Sequence, residues 1–133
     1  MMKISSSLYE EIIKQARNEL PDESCGYLFG TGDFANENYP MTNADHSPEH
    51  FSFIPKEQFS AVRCARSKGL KIIGNWHSHP SSPSRPSQED IRLAYDPSIV
   101  YFILSLAEEE PVLNAFSIKE GKVEKLPLEI VQG

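Results

Sequence analysis

Near the start of the chain apolar positions recur at a spacing of four: Leu8, Ile12, Ala16 and Leu20 form one helical stripe. Ser7-Leu8-Tyr9-Glu10 has the S-x-x-E form of a capping box. Pro21 ends the predicted helix, because the residue before a proline is pushed out of the α region. The pattern then changes. Cys25-Gly26-Tyr27-Leu28-Phe29-Gly30 predicts a short buried strand closed by glycine, Thr31-Gly32-Asp33 a turn, and Phe34 to Met41 a second strand. Thr42 to Glu49 is polar and loop-like, and Phe51 to Ile54 predicts a brief strand. Pro55 suits the first turn of a second helix, which carries Phe59, Val62 and Ala65 or Arg66 towards a stop at Gly69. Leu70 to Trp76 predicts a strand that runs into His77-Ser78-His79-Pro80. Beyond it come a short helix from about Ser87 to Tyr95, strands near Ile99–Leu106 and Val112–Ile118, a turn at Gly121, and a last strand of roughly Val123 to Leu126. No repeat or linker divides residues 1–133, so the expectation is a single α/β domain, a mixed sheet flanked by helices.

Composition narrows the picture only a little. The chain is 39% hydrophobic and 24% charged, ordinary for a globular protein. No apolar run approaches the roughly 18 residues of a membrane span. Met1-Met2-Lys3-Ile4 and the three serines after it lack the apolar stretch of a secretory signal, so a cytoplasmic protein away from membranes is expected. A net charge of −6 argues against a nucleic-acid partner, which wants a basic surface. Two cysteines, Cys25 and Cys64, imply no disulfide framework and are read as buried thiols.

Candidate chemistry concentrates in one place. Asn75, His77 and His79 project from the same face of the predicted strand, because side chains alternate faces. At the strand's exit, both imidazoles can meet a cleft. Asp90 follows thirteen positions after His77, beyond a Pro/Ser-rich loop. Two histidines and a carboxylate make a three-ligand set that suits a catalytic zinc, with a fourth position left for water. Ser87 and Asp90 also fit a helix cap, and the two roles are compatible, since capping would hold the carboxylate rigid. Glu89 carries only the capping reading. His46 and His50 lie in a polar loop without matching spacing and are expected to be solvated. A zinc hydrolase also needs a general base. Local pattern leaves that choice open: Glu23 precedes the buried strand, and Asp22 is its immediate competitor.

His77-Ser78-His79-Pro80, then Pro86-Ser87 and Asp90, resembles the JAMM motif of the MPN-domain metalloproteases. Ile73-Gly74-Asn75-Trp76 is similar to the family's strand leading into the histidines. Pro21 to Gly30, with a glutamate before Cys-Gly, is similar to its early segment, and Asn43 through Ser47-Pro48 to Phe51 to its middle segment. The resemblance covers about residues 1 to 118. It implies an MPN (JAB)-like mixed sheet with cytidine-deaminase-like layering, and one zinc held by His77, His79 and Asp90. It makes Glu23 the base that activates water and later protonates the leaving amine. It makes Ser87 a donor to the oxyanion of the tetrahedral intermediate. All five positions of the active pattern are filled, whereas inactive members lose one or more.

At this length the chain has little room for the insertions by which family deubiquitinases grip ubiquitin, and it resembles the compact prokaryotic branch. Members of that branch act beside ubiquitin-like β-grasp sulfur carrier proteins. The implied reaction is hydrolysis of a peptide or isopeptide bond after a C-terminal glycine of such a carrier. Two other readings stand beside it: a zinc amidohydrolase acting on a small peptide or cell-wall-type amide, and a non-catalytic MPN scaffold that holds metal. A structural zinc would call for a fourth protein ligand, and no cysteine lies near the motif. Sheet edges or the first helix could mediate a homodimer, although nothing in the chain demands one.

Overall fold

The computed structural model describes residues 1–133, in the order β1(Met2–Ser5), α1(Ser6–Asn18), β2(Cys25–Thr31), β3(Phe34–Met41), α2(Pro55–Ser67), β4(Lys71–His79), α3(Gln88–Arg92), β5(Val100–Ser105), β6(Val112–Lys119), β7(Lys122–Leu126) and β8(Leu128–Val131). The strands form one mixed sheet in the order β7-β6-β5-β4-β2-β3-β1-β8. β1 runs parallel to β3 and β8, and β4 parallel to β5; the other neighbours are antiparallel. Only Pro127 separates β7 from β8, so the two ends of the sheet order are one extended segment. The sheet therefore curls around α1.

That curl makes the main core. The helical stripe of α1 buries Leu8, Ile12 and Ala16 against Ile4, Leu28, Trp76, Phe102, Leu104 and Ala115. On the opposite face α2 packs Ala61 and Ala65 onto Cys25, Phe29 and Met41. Further along that face, Ile91 of α3 lies against a cluster of Tyr101, Ile103, Phe116 and Ile118. Between these two packed regions the sheet face is left open as a cleft. β4 is central, with β2 on one side and β5 on the other, so its C-terminal end is held from both edges.

Several expectations need correction. β1 and β8 were not expected. Each is four residues long, too short for alternation to register, and they pair with each other across the whole chain. α1 starts earlier than the Ser7 box implies: Ser5 is the cap, its Oγ accepting from the Leu8 N–H at 3.2 Å. The helix stops at Asn18, and Leu20 lies beyond it, exposed. Phe51 to Ile54 forms no strand, because its aromatic rings turn onto the open sheet face: Phe51 stacks on His77 and Phe53 packs against Tyr27. Of the residues spaced along α2, only Ala65 is buried, while Phe59 is 69% and Val62 43% exposed. α3 covers five residues, shorter than expected. Cys25 is buried, but Cys64 only half-buried; both are unpaired. No helix is long and apolar enough to cross a membrane.

A chain of hydrogen bonds ties α1 to the middle of the sheet. The Trp76 Nε1–H donates to Asn38 Oδ1 at 2.9 Å, Asn38 Nδ2 donates to Gln15 Oε1 at 2.8 Å, and Gln15 Nε2 donates to the Cys25 carbonyl at 3.1 Å. Gly26 makes room for it, since a Cβ there would lie 2.6 Å from Trp76 Nε1 and 2.9 Å from Asn38 Oδ1. Asn38→Ala leaves a buried indole donor and a glutamine acceptor unpaired. Its expected cost is about 1–3 kcal/mol in a urea unfolding titration. A loss under about 0.5 kcal/mol would show that this chain does not brace the sheet.

Candidate active site

β4 delivers His77, Ser78 and His79 in alternation. The antiparallel register sets Cys25 opposite His77 and so brings Ser24 beside Ser78. That pair exchanges two bonds: the Ser24 N–H donates to Ser78 Oγ at 2.8 Å, and the Ser78 N–H to the Ser24 carbonyl at 3.0 Å. Continuing the register by one residue brings Glu23 alongside His79. Asn43, itself buried, fixes the backbone there: its Nδ2 donates to the carbonyls of Glu23 at 3.0 Å and His50 at 3.0 Å. The Glu23 N–H donates to the Ser47 carbonyl at 2.8 Å.

Asp90 arrives from α3 by a capping box. The Asp90 N–H donates to Ser87 Oγ at 3.0 Å, and the Ser87 N–H to Asp90 Oδ2 at 2.9 Å. The loop between His79 and Ser87 is pinned to the sheet. Ser84 Oγ donates to the Ile103 carbonyl at 2.6 Å, Ser105 Oγ to the Ser82 carbonyl at 2.6 Å, and Asn114 Nδ2 to the Ser84 carbonyl at 3.1 Å.

His77 Nε2, His79 Nε2 and Asp90 Oδ2 then converge. The carboxylate oxygen is 3.1 Å from each nitrogen, and the nitrogens are 3.2 Å apart. His79 Nδ1 lies 2.8 Å from the Pro83 carbonyl, which can only accept, so Nδ1 carries a proton, and the neutral ring then offers a lone pair at Nε2. Such a lone pair and a carboxylate oxygen repel unless a proton or a metal cation lies between them. Two nitrogens and an oxygen at about 2.0–2.1 Å from a tetrahedral zinc lie roughly 3.3–3.4 Å from one another, so the donor set fits such an ion. These are also the three residues whose ligand atoms cluster tightly enough to hold a metal.

The electrostatics differ among the three residues. Burial pushes His77 below its usual range, towards the neutral form a metal ligand needs. For Asp90, burial alone would raise the carboxyl, but the hydrogen bonds from His77 and His79 outweigh it and hold it well below the usual carboxylate range. Burial would lower His79, yet its bonds to Asp90 and Pro83 leave it raised. Glu23 is 4% exposed. Burial pushes its carboxyl up to about 8, with His79 opposing and the Asp90 and Glu89 charges reinforcing the shift. A cation among the three ligands would favour its ionised form.

Three buried side-chain polar atoms in the chain lack a protein hydrogen-bond partner: Glu23 Oε1, Asn75 Oδ1 and His77 Nδ1. All three lie at this site. Buried polar groups are otherwise almost always paired, so their gathering in one place fits a site that takes a ligand. Phe51 covers His77, with ring centroids 4.6 Å apart and planes 28° from parallel. Next to the cluster runs the cleft, about 690 Å³, floored by Asn75, His77, Tyr101 and Ile103 and walled by α2, the Phe51–Phe53 segment and the stretch after α3.

Each residue singled out in the sequence can now be located. His77, His79 and Asp90 come together, Ser87 sits exposed at the cap beside them, and Glu23 is buried next to His79. His46 and His50 are exposed, and His50 pairs with Asp45 at the surface at 3.0 Å. Asp22 is half-buried, and its N–H bonds back to the Glu19 carbonyl. Sequence reasoning assigned nothing to Asn43, to the stacking of Phe51, or to the unpaired amide of Asn75. Asn75 shares the histidines' strand face, and Asn43 and Phe51 bound the segment similar to the family's middle one.

Comparison with known proteins agrees with this geometry. The chain is 29% identical over 135 residues to the CysO-cysteine peptidase of Mycobacterium tuberculosis, covering 99% of this chain and 92% of that protein. Among solved structures, protein DSY2949 of Desulfitobacterium hafniense superposes with a TM-score of 0.89 at 46% identity, over 100% of this chain and 93% of the other. A structure described as "JAMM: A Metalloprotease-like Zinc Site in the Proteasome and Signalosome" superposes with a TM-score of 0.65 at 27% identity, over 98% of each chain. With residues 5–119 matching the family model as well, the chain belongs to the prokaryotic homologs of the JAB domain, enzymes of the JAMM peptidase type.

Proposed function

We propose that this enzyme is a zinc-dependent peptidase that hydrolyses the peptide or isopeptide bond after the C-terminal glycine of a ubiquitin-like β-grasp sulfur carrier. The observation that carries the chemistry is the convergence of His77 Nε2, His79 Nε2 and Asp90 Oδ2 beside the unpaired carboxyl of Glu23. The CysO-cysteine peptidase likeness supports the substrate class. The cleft supports a polypeptide rather than a small amide, because 690 Å³ of mostly apolar lining exceeds what a lone amide needs. Two unpaired thiols fit a reducing cytoplasm.

His77, His79 and Asp90 would hold one zinc per chain. Zinc bound there lowers the pKa of water and polarises a carbonyl oxygen. Glu23, shielded and uncommitted at Oε1, takes the proton from the attacking water and delivers it to the leaving nitrogen as the C–N bond breaks. Ser87 Oγ already accepts from the Asp90 N–H, which leaves its own hydroxyl hydrogen free to donate to the oxygen that gains charge in the tetrahedral state. Pro83 and the capping box keep His79 and Asp90 aimed before substrate arrives.

Two variants separate these roles. His77→Ala removes one of three ligands, and metal analysis of the purified variant is expected to show loss of zinc together with all cleavage of a carrier extended beyond Gly-Gly. Zinc retained at full stoichiometry would take His77 out of the ligand set. Glu23→Gln keeps the ligands and the buried volume, so zinc should remain while kcat falls by about 10²-fold or more. A normal kcat in that variant moves the base elsewhere, with Asp22 the next residue to substitute.

A further inference from the structure

Asn75 holds a polar amide on the floor of an otherwise largely apolar cleft, and nothing in the protein bonds to it. Its Oδ1 is shielded from solvent and unpartnered, and its Nδ2 makes no hydrogen bond either. The flanking polar groups are committed. Tyr27, opposite Asn75 on β2, accepts at its hydroxyl from Gln58 Nε2 at 3.0 Å. Tyr101, opposite on β5, donates to the Asp96 carbonyl at 2.8 Å and accepts from the Asp96 N–H at 3.2 Å. Neither tyrosine bonds to Asn75. A β-branched residue would suit this central strand position better if the amide had no role, since a shielded carbonyl without a donor is destabilising.

We propose that Asn75 positions the substrate: its carboxamide, turned about its side-chain torsions so that the shielded Oδ1 faces the cleft, forms a paired hydrogen bond with the backbone of one extended tail residue, Oδ1 accepting from that residue's N–H and Nδ2 donating to its carbonyl. A carboxamide offers an acceptor and a donor side by side in one plane, and the N–H and C=O of a single extended residue, which point the same way, complement it. Register sets where. Asn75 and His77 are two residues apart on one strand face, about 6.6–6.8 Å. An extended substrate advances at the same rate, so the tail residue that meets Asn75 lies about two residues from the scissile carbonyl at the histidines. The acyl side is the side assigned, because in the peptide and the isopeptide form of the proposed reaction alike the extended glycine-ending tail lies before the cut. This assignment rests on the carrier-tail reading above. It adds sequence-independent backbone recognition, so the cleft walls, not Asn75, would choose tail side chains.

The test uses the zinc-loaded full chain and synthetic peptides that end in a Gly-Gly tail joined to a fluorogenic amine. Asn75→Leu should lower kcat/KM about tenfold or more, mainly through KM. It should weaken binding of the uncut tail peptide ending in Gly-Gly by a similar factor in fluorescence anisotropy. Single N-methylation of each of the last few tail amides in turn should harm wild-type cleavage sharply at one position about two residues before the cut. That same modification should cost Asn75→Leu nothing further. A flat N-methyl profile in wild type, or unchanged kcat/KM and tail binding in Asn75→Leu, overturns the assignment of Asn75 and leaves the carrier reading standing. Wild-type protein with zinc that neither cuts nor binds any Gly-Gly peptide overturns the carrier reading and this inference with it. Because Asn75 bonds to nothing in the fold, Asn75→Leu is expected to melt at or above the wild-type temperature, and the N-methyl profile of wild type needs no variant at all.

Discussion

Three potential ligand atoms, His77 Nε2, His79 Nε2 and Asp90 Oδ2, are held 3.1–3.2 Å from one another, and the architecture around β4 keeps them there. Two donors come from one strand and one from a helix cap, so their geometry depends on a single strand being fixed at both edges and a short loop being fixed at both ends. β2 and β5 supply the first condition. Hydrogen bonds from Ser84, Ser105 and Asn114 supply the second, pinning the loop to β5 and β6. Little of the site is left to adjust when substrate binds, which suits an enzyme that gains rate from preorganised charge.

The same strand separates stability from chemistry. Trp76, between Asn75 and His77, points to the opposite face and is fully buried in the α1 core. Its neighbours on either side point into the cleft, where the unpaired polar atoms lie. One face of β4 is packed and hydrogen-bonded, and the other carries the groups that wait for ligands. Glu23 shows the same division along β2's entry: its backbone is bonded to Ser47 and Asn43, while its carboxyl is left alone.

How much of this was legible in the sequence follows the range of the interactions involved. The two histidines were legible because strand alternation is local, and Asp90 because a capping box spans three residues. α1's buried stripe was legible for the same reason. β1 and β8 were not, since a four-residue strand has no pattern of its own and these two exist by pairing across the whole chain. Phe51 and Phe53 looked like strand residues because aromatic and apolar content is shared by strands and by site walls; only the position of His77 and Tyr27 tells them apart. On α2, spacing nominated Phe59 and Val62, yet the helix turns its small residues Ala61 and Ala65 to the sheet. Small side chains let a helix sit close, and no local rule selects them. Spacing left Glu23 and Asp22 level; the register of β2 against β4 is what buries Glu23 near His79 and leaves Asp22 half-buried.

The most direct test of the account is X-ray absorption at the zinc edge on the purified wild-type protein. The account predicts one zinc per chain surrounded by about four nitrogen and oxygen neighbours near 2.0–2.1 Å, with imidazole scattering and no sulfur. A sulfur neighbour at about 2.3 Å would assign the metal to a cysteine site elsewhere, and protein that takes up no zinc would contradict the metal-centred mechanism altogether.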